Sequence, residues 1–299
     1  MPTSDVRSSS VQAYALLALA GLCWSGNHVL GRAIAGHVPP ISLSALRWVA
    51  PCVIAGVLAR RHLARDWPAI KSHWKAMLVL GLTGGALFST LQYVGLQYTS
   101  AINVSVLNSL GPVFIVAAVA TMFGETMRPI QMAGITVSLA GVLFIVTRGE
   151  PAALLGMAFN AGDLIILFNM AVWAVYSACL RFRPNIHWTS FMFFFALIGA
   201  LGTLPFAVHE HLHGFHFQPT AQTLLAIVYV SIFPSLVAYL SWNRGVELIG
   251  PNRAGALLHL IALYSAILAG VFLGERLAAF HVIGFALILG GVTLAARKA

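Results

Sequence analysis

Ten apolar runs of about twenty residues follow one another along the chain, and no gap between them is long enough to hold a soluble domain. They read as residues 11–35, 40–59, 74–98, 101–123, 129–147, 160–181, 188–208, 221–243, 251–273 and 279–296. A helix rising about 1.5 Å per residue needs about 20 apolar residues to cross ~30 Å of hydrocarbon. Inside hydrocarbon a backbone must satisfy its own polar groups, so each run is expected to be a helix. The pattern therefore predicts an all-α polytopic membrane protein with ten transmembrane helices. Breakers punctuate the runs at Pro39–Pro40, Pro68, Arg128–Pro129, Gly149–Glu150–Pro151, Arg183–Pro184, Pro219 and Gly250–Pro251.

Composition excludes the main rival. Of 299 residues, 59% are hydrophobic and 8% charged, whereas a soluble domain carries about 25% charged residues. The net charge of +9 raises nucleic-acid binding as a question. The basic residues occupy short gaps between apolar runs instead of one face, which is how topology signals are distributed, and no nucleic-acid partner is expected. The polar start MPTSDVRSSS leads into a run too long for a signal-peptide core, so it reads as an uncleaved first helix. Leu19–Cys23 resembles a lipoprotein box, but Leu22 stands where a small residue should precede the cysteine. Cys23, Cys52 and Cys179 all fall inside apolar runs and read as buried free thiols.

Lys and Arg sort the gaps into two sets. With the N-terminus inside, the inner set holds Arg7; Arg60, Arg61, Arg65, Lys71 and Lys75; Arg128; Arg181 and Arg183; Arg244 and Arg253; and Arg297 and Lys298. The outer set holds Arg32, Arg148 and Arg276. This predicts N-in and C-in, which requires an even number of helices.

The chain also resembles itself. Residues 95–141 align without gaps on 245–291, a shift of 150 that pairs Gly95 with Gly245, Leu107 with Leu257, Leu110 with Leu260, Gly124–Glu125 with Gly274–Glu275, Gly134 with Gly284 and Gly141 with Gly291. At a shift of 149, Trp24 pairs with Trp173 and Arg32 with Arg181. Residues 1–150 and 151–299 then form two five-helix repeats. Five is odd, so the second copy enters the membrane from the other side and the repeats are inverted, with Glu125 cytoplasmic and Glu275 outside. Inverted repeats characterise secondary transporters, whose substrate site lies near the midplane between the halves.

Trp24-Ser-Gly-Asn27 in the first run, Arg47 in the second, and the tract Tyr93-Val-Gly-Leu-Gln-Tyr-Thr-Ser-Ala101 before Pro112 and Gly124–Glu125 resemble the EamA branch of the drug/metabolite transporter superfamily. The resemblance spans nearly the whole chain, and within the branch it is nearest the aromatic amino acid exporters of the YddG type. It implies ten helices in two halves, export of small metabolites and a location in the bacterial inner membrane. The second half departs from the pattern, with Ala262 at the position matching Pro112 and Asn243–Arg244 at that of Tyr93–Val94.

Polar and aromatic residues inside the runs are the candidates for a substrate site, because such groups in hydrocarbon face a bundle interior or a cavity. They are Trp24, Asn27 and His28 in the first run, Gln92 and Tyr93 in the third, and Asn103 and Asn108 in the fourth. The second half adds Trp173 and Tyr176 in the sixth, Tyr239 in the eighth, and His259 and Tyr264 in the ninth. Ser105, Ser109, Ser177, Trp242, Asn243 and Arg253 lie nearby in sequence. Aromatic faces with a few amides and imidazoles suit a solute with an apolar side chain, and a cationic drug could use the same faces. Interhelical packing and interfacial belts are the structural readings of the same residues. Arg47 reads as a carboxylate ligand, a helix tie or a snorkelling side chain. Gly81, Gly84–Gly85, Gly270 and Gly274 read as packing positions, and Pro51, Pro112, Pro205 and Pro234 as kinks.

No nucleotide-binding Gly-rich loop occurs and no cofactor or bound metal is expected. Asp163, Glu125, Glu150, Glu210, Glu247 and Glu275 lie at helix edges, which leaves facilitated export or coupling through His28 or His259. His209-Glu210-His211-Leu212-His213 spells the zinc-protease pattern, yet its place beside Gly214 and Pro205 reads as a solvated, His-rich external loop extending to His216. The sequence thus predicts a transporter and not an enzyme, with a small-molecule substrate and membrane lipid as partners and its oligomeric state open. The resemblance implies export of aromatic or hydrophobic amino acids, and the inverted repeats imply alternating access; a multidrug or other metabolite exporter, and an intramembrane zinc protease at His209, Glu210 and His213, are the alternatives.

Overall fold

The structure, a computed structural model, describes residues 3–33, 38–99, 101–156, 159–214, 217–273 and 278–296. It is all-α, with no strand among these residues. The long helices are α1 (Thr3–Ala33), α2 (Pro40–Ala59), α3 (Trp74–Tyr98), α4 (Ala101–Asn108 continued by Gly111–Phe123) and α5 (Pro129–Val146). They continue with α6 (Ala161–Phe182), α7 (Trp188–Leu212), α8 (Ala221–Ile249), α9 (Pro251–Ala256 continued to Leu260–Leu273) and α10 (Ala279–Ala296). Nine of them, α2 to α10, are long and apolar enough to cross a membrane. The chain is a multi-pass membrane protein. α1 extends the first apolar run towards the N-terminus by two polar turns, and α7 and α8 outrun their predicted ends at 208 and 243.

Local chemistry sets the boundaries. Pro40, Pro129 and Pro251 open α2, α5 and α9, where a missing N–H costs nothing. Asn160 and Asp163 cap α6 reciprocally, and Thr220 with Thr223 does the same for α8. Gly124 ends α4 at φ 68°, a left-handed conformation that favours glycine. A short surface helix, Leu63–Ser72, was not anticipated because its run of charges reads as a loop. Large apolar side chains such as Val53, Leu201, Leu225 and Phe272 point outwards, more than half exposed, as a lipid-facing surface requires.

The packing pairs helices across the chain. The most extensive contacts are α5 with α10 and α2 with α7, followed by α3 with α6, α1 with α8, α3 with α7, and α4 with α6. Gly84 meets the ring of Tyr176 and Gly95 the side chain of Ile166, so α3 and α6 run antiparallel. Leu17 against Gly245 and Tyr229 against Gly26 show the same for α1 and α8. α5 and α10 interlock through glycine: Gly141 faces Gly284 and Gly134 faces Gly291, close enough that a Cβ on Gly141 would fall 2.8 Å from the Gly284 oxygen.

Two kinds of discontinuity interrupt the helices. α3 widens into a π turn at Gly81–Leu87 and α8 at Ser231–Val237, each end 150 residues after its counterpart. α4 breaks between Asn108 and Gly111, and α9 passes through a 3₁₀ turn at Leu257–His259. Of the prolines expected to kink helices, Pro234 lies in the second π turn and Pro112 opens the second piece of α4; Pro51 and Pro205 lie within α2 and α7. Gly81, Gly84 and Gly85 fall in the first π turn and pack against Ile198, Tyr176 and Gly199.

A closed aromatic cluster at the centre of the bundle

Five helices bring their aromatic residues to one place. Trp24 of α1 lies 5.4 Å from Trp173, 5.9 Å from Tyr239 and 5.7 Å from Trp242, centroid to centroid. Trp173 touches Tyr176 at 5.2 Å and Trp242 at 5.3 Å. Trp48 of α2 joins through Tyr239 and Phe195, both at 5.2 Å. Edge-on and tilted geometries dominate, as ring quadrupoles favour. Trp48, Trp173, Tyr176, Tyr239 and Trp242 are all at most 3% exposed, so the centre is shut off from solvent. Four predicted site residues, Trp24, Trp173, Tyr176 and Tyr239, are thereby brought together; Trp48 and Trp242 complete the cluster.

The π turns tie this cluster to the backbone. A π turn leaves carbonyls outside the regular ladder, and here side chains take them. Tyr239 donates to the Gly84 carbonyl at 2.6 Å and Trp48 to the Gly85 carbonyl at 2.9 Å. In α8, Trp24 donates to the Pro234 carbonyl at 3.1 Å. Arg47 donates from Nη2 to that same carbonyl at 3.3 Å and from Nε to the Ser235 hydroxyl at 2.7 Å. Arg47 is 5% exposed, so of its sequence-based readings snorkelling is overturned and the helix tie is what the contacts display.

The other predicted site residues are placed elsewhere. Asn27 is half-buried on α1, three residues beyond Trp24, and Tyr264 packs where α9 meets Gly21. The side chain of His28 lies outside the described residues. Gln92 accepts from Asn169 at 3.0 Å, tying α3 to α6. The Tyr93 hydroxyl and the Asn108 side-chain Oδ1 are buried without a partner among the described residues. Asn103 sits at the end of the bundle, where it and Thr99 donate to Asp163 at 3.1 and 2.5 Å. His259 is 2% exposed and joins three helices, with Nε2 2.8 Å from the Ser109 carbonyl and Nδ1 2.6 Å from the Ser138 hydroxyl. A carbonyl only accepts, so Nε2 carries the proton in that contact.

Two acidic residues expected merely at helix edges are in fact buried. Asp163, fully buried, closes the α6 capping box while accepting from α3 and α4. Glu210, 8% exposed, accepts from the Ile41 and Ser42 amides at 3.2 and 2.7 Å and from the Ser42 hydroxyl at 2.8 Å. It caps the start of α2 from another helix, satisfying amides that a helix leaves orphaned. Residues 209–212 are the last turn of α7, so the expected loop is corrected to a helix there. Both Glu210 oxygens are occupied by these donors, which removes the free base a zinc protease needs. No group of three metal-ligating side chains occurs among the described residues; His216 lies outside them.

One end of the bundle carries ion pairs. Arg181 of α6 meets Glu125 beyond α4 at 2.9 Å, and Arg183 meets Glu247 of α8 at 2.9 Å. The Arg181 hydrogen bond holds the Glu125 carboxyl below its ordinary range. Asp66 of the surface helix accepts from the His187 amide at 3.0 Å and the Ser190 hydroxyl at 2.7 Å, at the start of α7. Burial pushes the Asp66 carboxyl up, but Ser190, the His187 amide and Arg65 outweigh it and hold it below its ordinary value. His187 is pushed down by burial and by His62, which stacks on it at 3.8 Å.

The profile of the EamA-like transporter family matches the chain twice, over residues 11–147 and 160–297. The chain belongs to the EamA-like transporter family. An uncharacterized transporter of Archaeoglobus fulgidus is 31% identical over 95% of this chain and 96% of its own. A probable terminal-alkyne amino-acid exporter of Streptantibioticus cattleyicolor is 30% identical over 84% and 80%. The aromatic amino acid exporter YddG of Ancylobacter novellus is 27% identical over 93% and 95%. A solved crystal structure superposes with a TM-score of 0.77 over 97% of this chain and 96% of that one, at 24% identity. As an EamA transporter, the chain moves a small molecule across a membrane, and the aromatic cluster lies where α1, α2, α6, α7 and α8 meet.

Proposed function

We propose that this EamA transporter exports amino acids with aromatic or large apolar side chains across the inner membrane, by alternating access between two inverted five-helix halves. The observation that carries the reading is the closed cluster of Trp24, Trp48, Trp173, Tyr176, Tyr239 and Trp242, a central set of rings suited to an aromatic solute. The names of two relatives as exporters of amino acids support the substrate class.

The inverted arrangement is supported by the π turns at the same repeat position and by the reciprocal glycine contacts of α5 and α10. Discontinuous helices at matched positions are where transporters bind and bend. With the N-terminus inside, the ion pairs of Arg181 and Arg183 close the cytoplasmic end. Single cysteines at Glu125 and Ala278 in a cysteine-free background test the inversion: labelling from opposite sides is expected, and labelling from one side would sink it.

Uptake into proteoliposomes by purified protein tests the substrate. Phenylalanine, tryptophan and leucine are expected to be taken up and to compete with one another. Transport of a lipophilic cation without any of the amino acids would replace this reading with multidrug export.

A further inference from the structure

Arg47 is a charge without a counter-charge. It lies in the middle of α2, 5% exposed, and no carboxylate among the described residues is within ion-pairing distance of it. Its partners are neutral: the Ser235 hydroxyl, the Pro234 carbonyl, and the ring of Trp48 with its centroid 5.5 Å from the guanidinium carbon. Nε and Nη2 are engaged by these contacts, and Nη1 donates to nothing among the described residues. Neutral acceptors orient a guanidinium but do not cancel its charge, and an unmatched cation at membrane depth is costly. A residue placed only to tie α2 to α8 would need no charge.

Two hydroxyls on the helices that pack against α2 are also unsatisfied among the described residues. Ser231, 1% exposed, stands one turn before Ser235 on α8, and its Oγ has no partner among the described residues. The Tyr93 hydroxyl of α3 is buried without a partner, and its ring packs on the cluster of Val38, Leu43 and Ala226, with Leu43 one turn before Arg47 on α2. Ser235 itself is not available, since its hydroxyl donates to the Val230 carbonyl at 2.7 Å. The Pro234 carbonyl, shared by Arg47 and Trp24, joins this polar set to the rim of the aromatic cluster.

From this juxtaposition we infer that Arg47, with the hydroxyls of Ser231 and Tyr93, is the subsite for the carboxylate of an aromatic or apolar acid whose side chain enters the Trp24–Tyr239 side of the cluster. A carboxylate brings the missing negative charge and accepts from a planar guanidinium and from O–H donors alike. This assignment rests on the proposed substrate class but makes a separate claim: the carboxylate is what the site selects.

The test compares phenylalanine with phenylalaninamide as competitors in proteoliposome uptake, and 3-phenylpropionate with phenethylamine as ligands that shift the melting temperature of the purified transporter. The wild type is expected to prefer each carboxylate. Arg47→Gln, which keeps donors for Pro234 and Ser235, is expected to abolish the preference, with KM for phenylalanine rising tenfold or more. Ser231→Ala and Tyr93→Phe remove one O–H each at nearly constant shape, and each should raise KM for phenylalanine about threefold to tenfold while leaving inhibition by the amide unchanged. Should Arg47→Gln fail to fold, these two variants decide. If phenylalanine is transported and the folded variants keep the wild-type preference, the subsite is wrong and the export reading stands. If no amino acid is transported but 3-phenylpropionate stabilises the wild type and not the variants, the subsite stands and the export reading fails.

Discussion

Trp24 of α1 and Arg47 of α2 donate to one acceptor, the carbonyl of Pro234 in α8, at 3.1 and 3.3 Å. Three helices thus meet at a backbone atom that is free to serve them because the π turn has taken it out of the helical ladder. Proline contributes by lacking an N–H, and the Val230 carbonyl beneath it takes the Ser235 hydroxyl instead. The equivalent turn in α3 offers the carbonyls of Gly84 and Gly85 to Tyr239 and Trp48. Each π turn is therefore wired to the aromatic cluster.

Pro234→Ala restores an N–H to this turn and favours its closure into a regular α-helix. The expected result is a higher melting temperature, with a gain of up to about 3 kcal/mol, and transport several-fold slower because the Pro234 carbonyl that Trp24 and Arg47 share returns to the helical ladder. Thermal unfolding and proteoliposome flux on the same preparation check both halves; faster transport would contradict the role given to the turn.

The α5–α10 contact distinguishes glycines that look alike in sequence. A Cβ on Gly134 collides with the Ala295 backbone nitrogen and one on Gly291 with that of Ser138, whereas Gly290 has nothing within 4 Å. Gly134→Ala and Gly291→Ala are expected to destabilise by about 1–3 kcal/mol. Gly290→Ala should be neutral, or stabilising by up to about 1 kcal/mol through helix propensity. Melting of the three variants by fluorescence-detected size exclusion tests the ranking.

Glu210→Ala removes the carboxylate that caps α2 and should cost about 1–2 kcal/mol, as loss of a helix cap does. Glu210→Gln keeps one oxygen and should cost less. Chelators should leave transport unchanged in all three proteins, and stoichiometric zinc in the purified wild type would reopen the metal reading of the His209–His213 segment.

Acidification is expected to loosen the surface helix. Asp66 has its folded pKa below the ordinary 3.8, so its contribution is complete above 3.8 and lost as pH falls through the lower folded value. His187 is also depressed, from 6.5, so the folded state resists a proton that the unfolded chain accepts, and stability declines as pH drops below 6.5. Melting temperature should therefore fall in two stages on acidification, and Asp66→Asn should abolish the lower one.

His259→Gln tests the coupling question. With both ring nitrogens bonded to α4 and α5, His259 is placed as a tie between helices. Its substitution is expected to lower the melting temperature, by about 1–3 kcal/mol of lost buried hydrogen bonding. The response of transport to an imposed proton gradient should be that of the wild type; loss of that response would make His259 the coupling group.

Helix number and extent were legible in the sequence because hydrocarbon thickness imposes a length on every run: α2 and α10 begin and end where the apolar pattern does. Part of the aromatic cluster was legible too, since Trp24, Trp173, Tyr176 and Tyr239 stand inside apolar runs. Asp163 and Glu210 do lie at helix edges, but their burial was not legible, because position along a helix says nothing about its neighbours. Each carboxylate is buried by another helix that presents orphaned amides or amide side chains to it. Asn103 and His259 look like ligands for the same reason: their partners, Asp163 and the Ser109 carbonyl, are distant in sequence. Arg47 could be seen in the sequence, but only the structure reveals that no carboxylate among the described residues balances it.

The cap on α2 bears on the order of synthesis. The amides of Ile41 and Ser42 are made long before Glu210, and in the finished fold that carboxylate is what satisfies them. The first part of the chain therefore enters the bilayer with the start of its second helix incomplete, and the seventh helix finishes it. A ribosome stalled between residues 60 and 209 leaves an intermediate whose exposed amides remain at the water interface, or with the insertion machinery, until the later helix arrives.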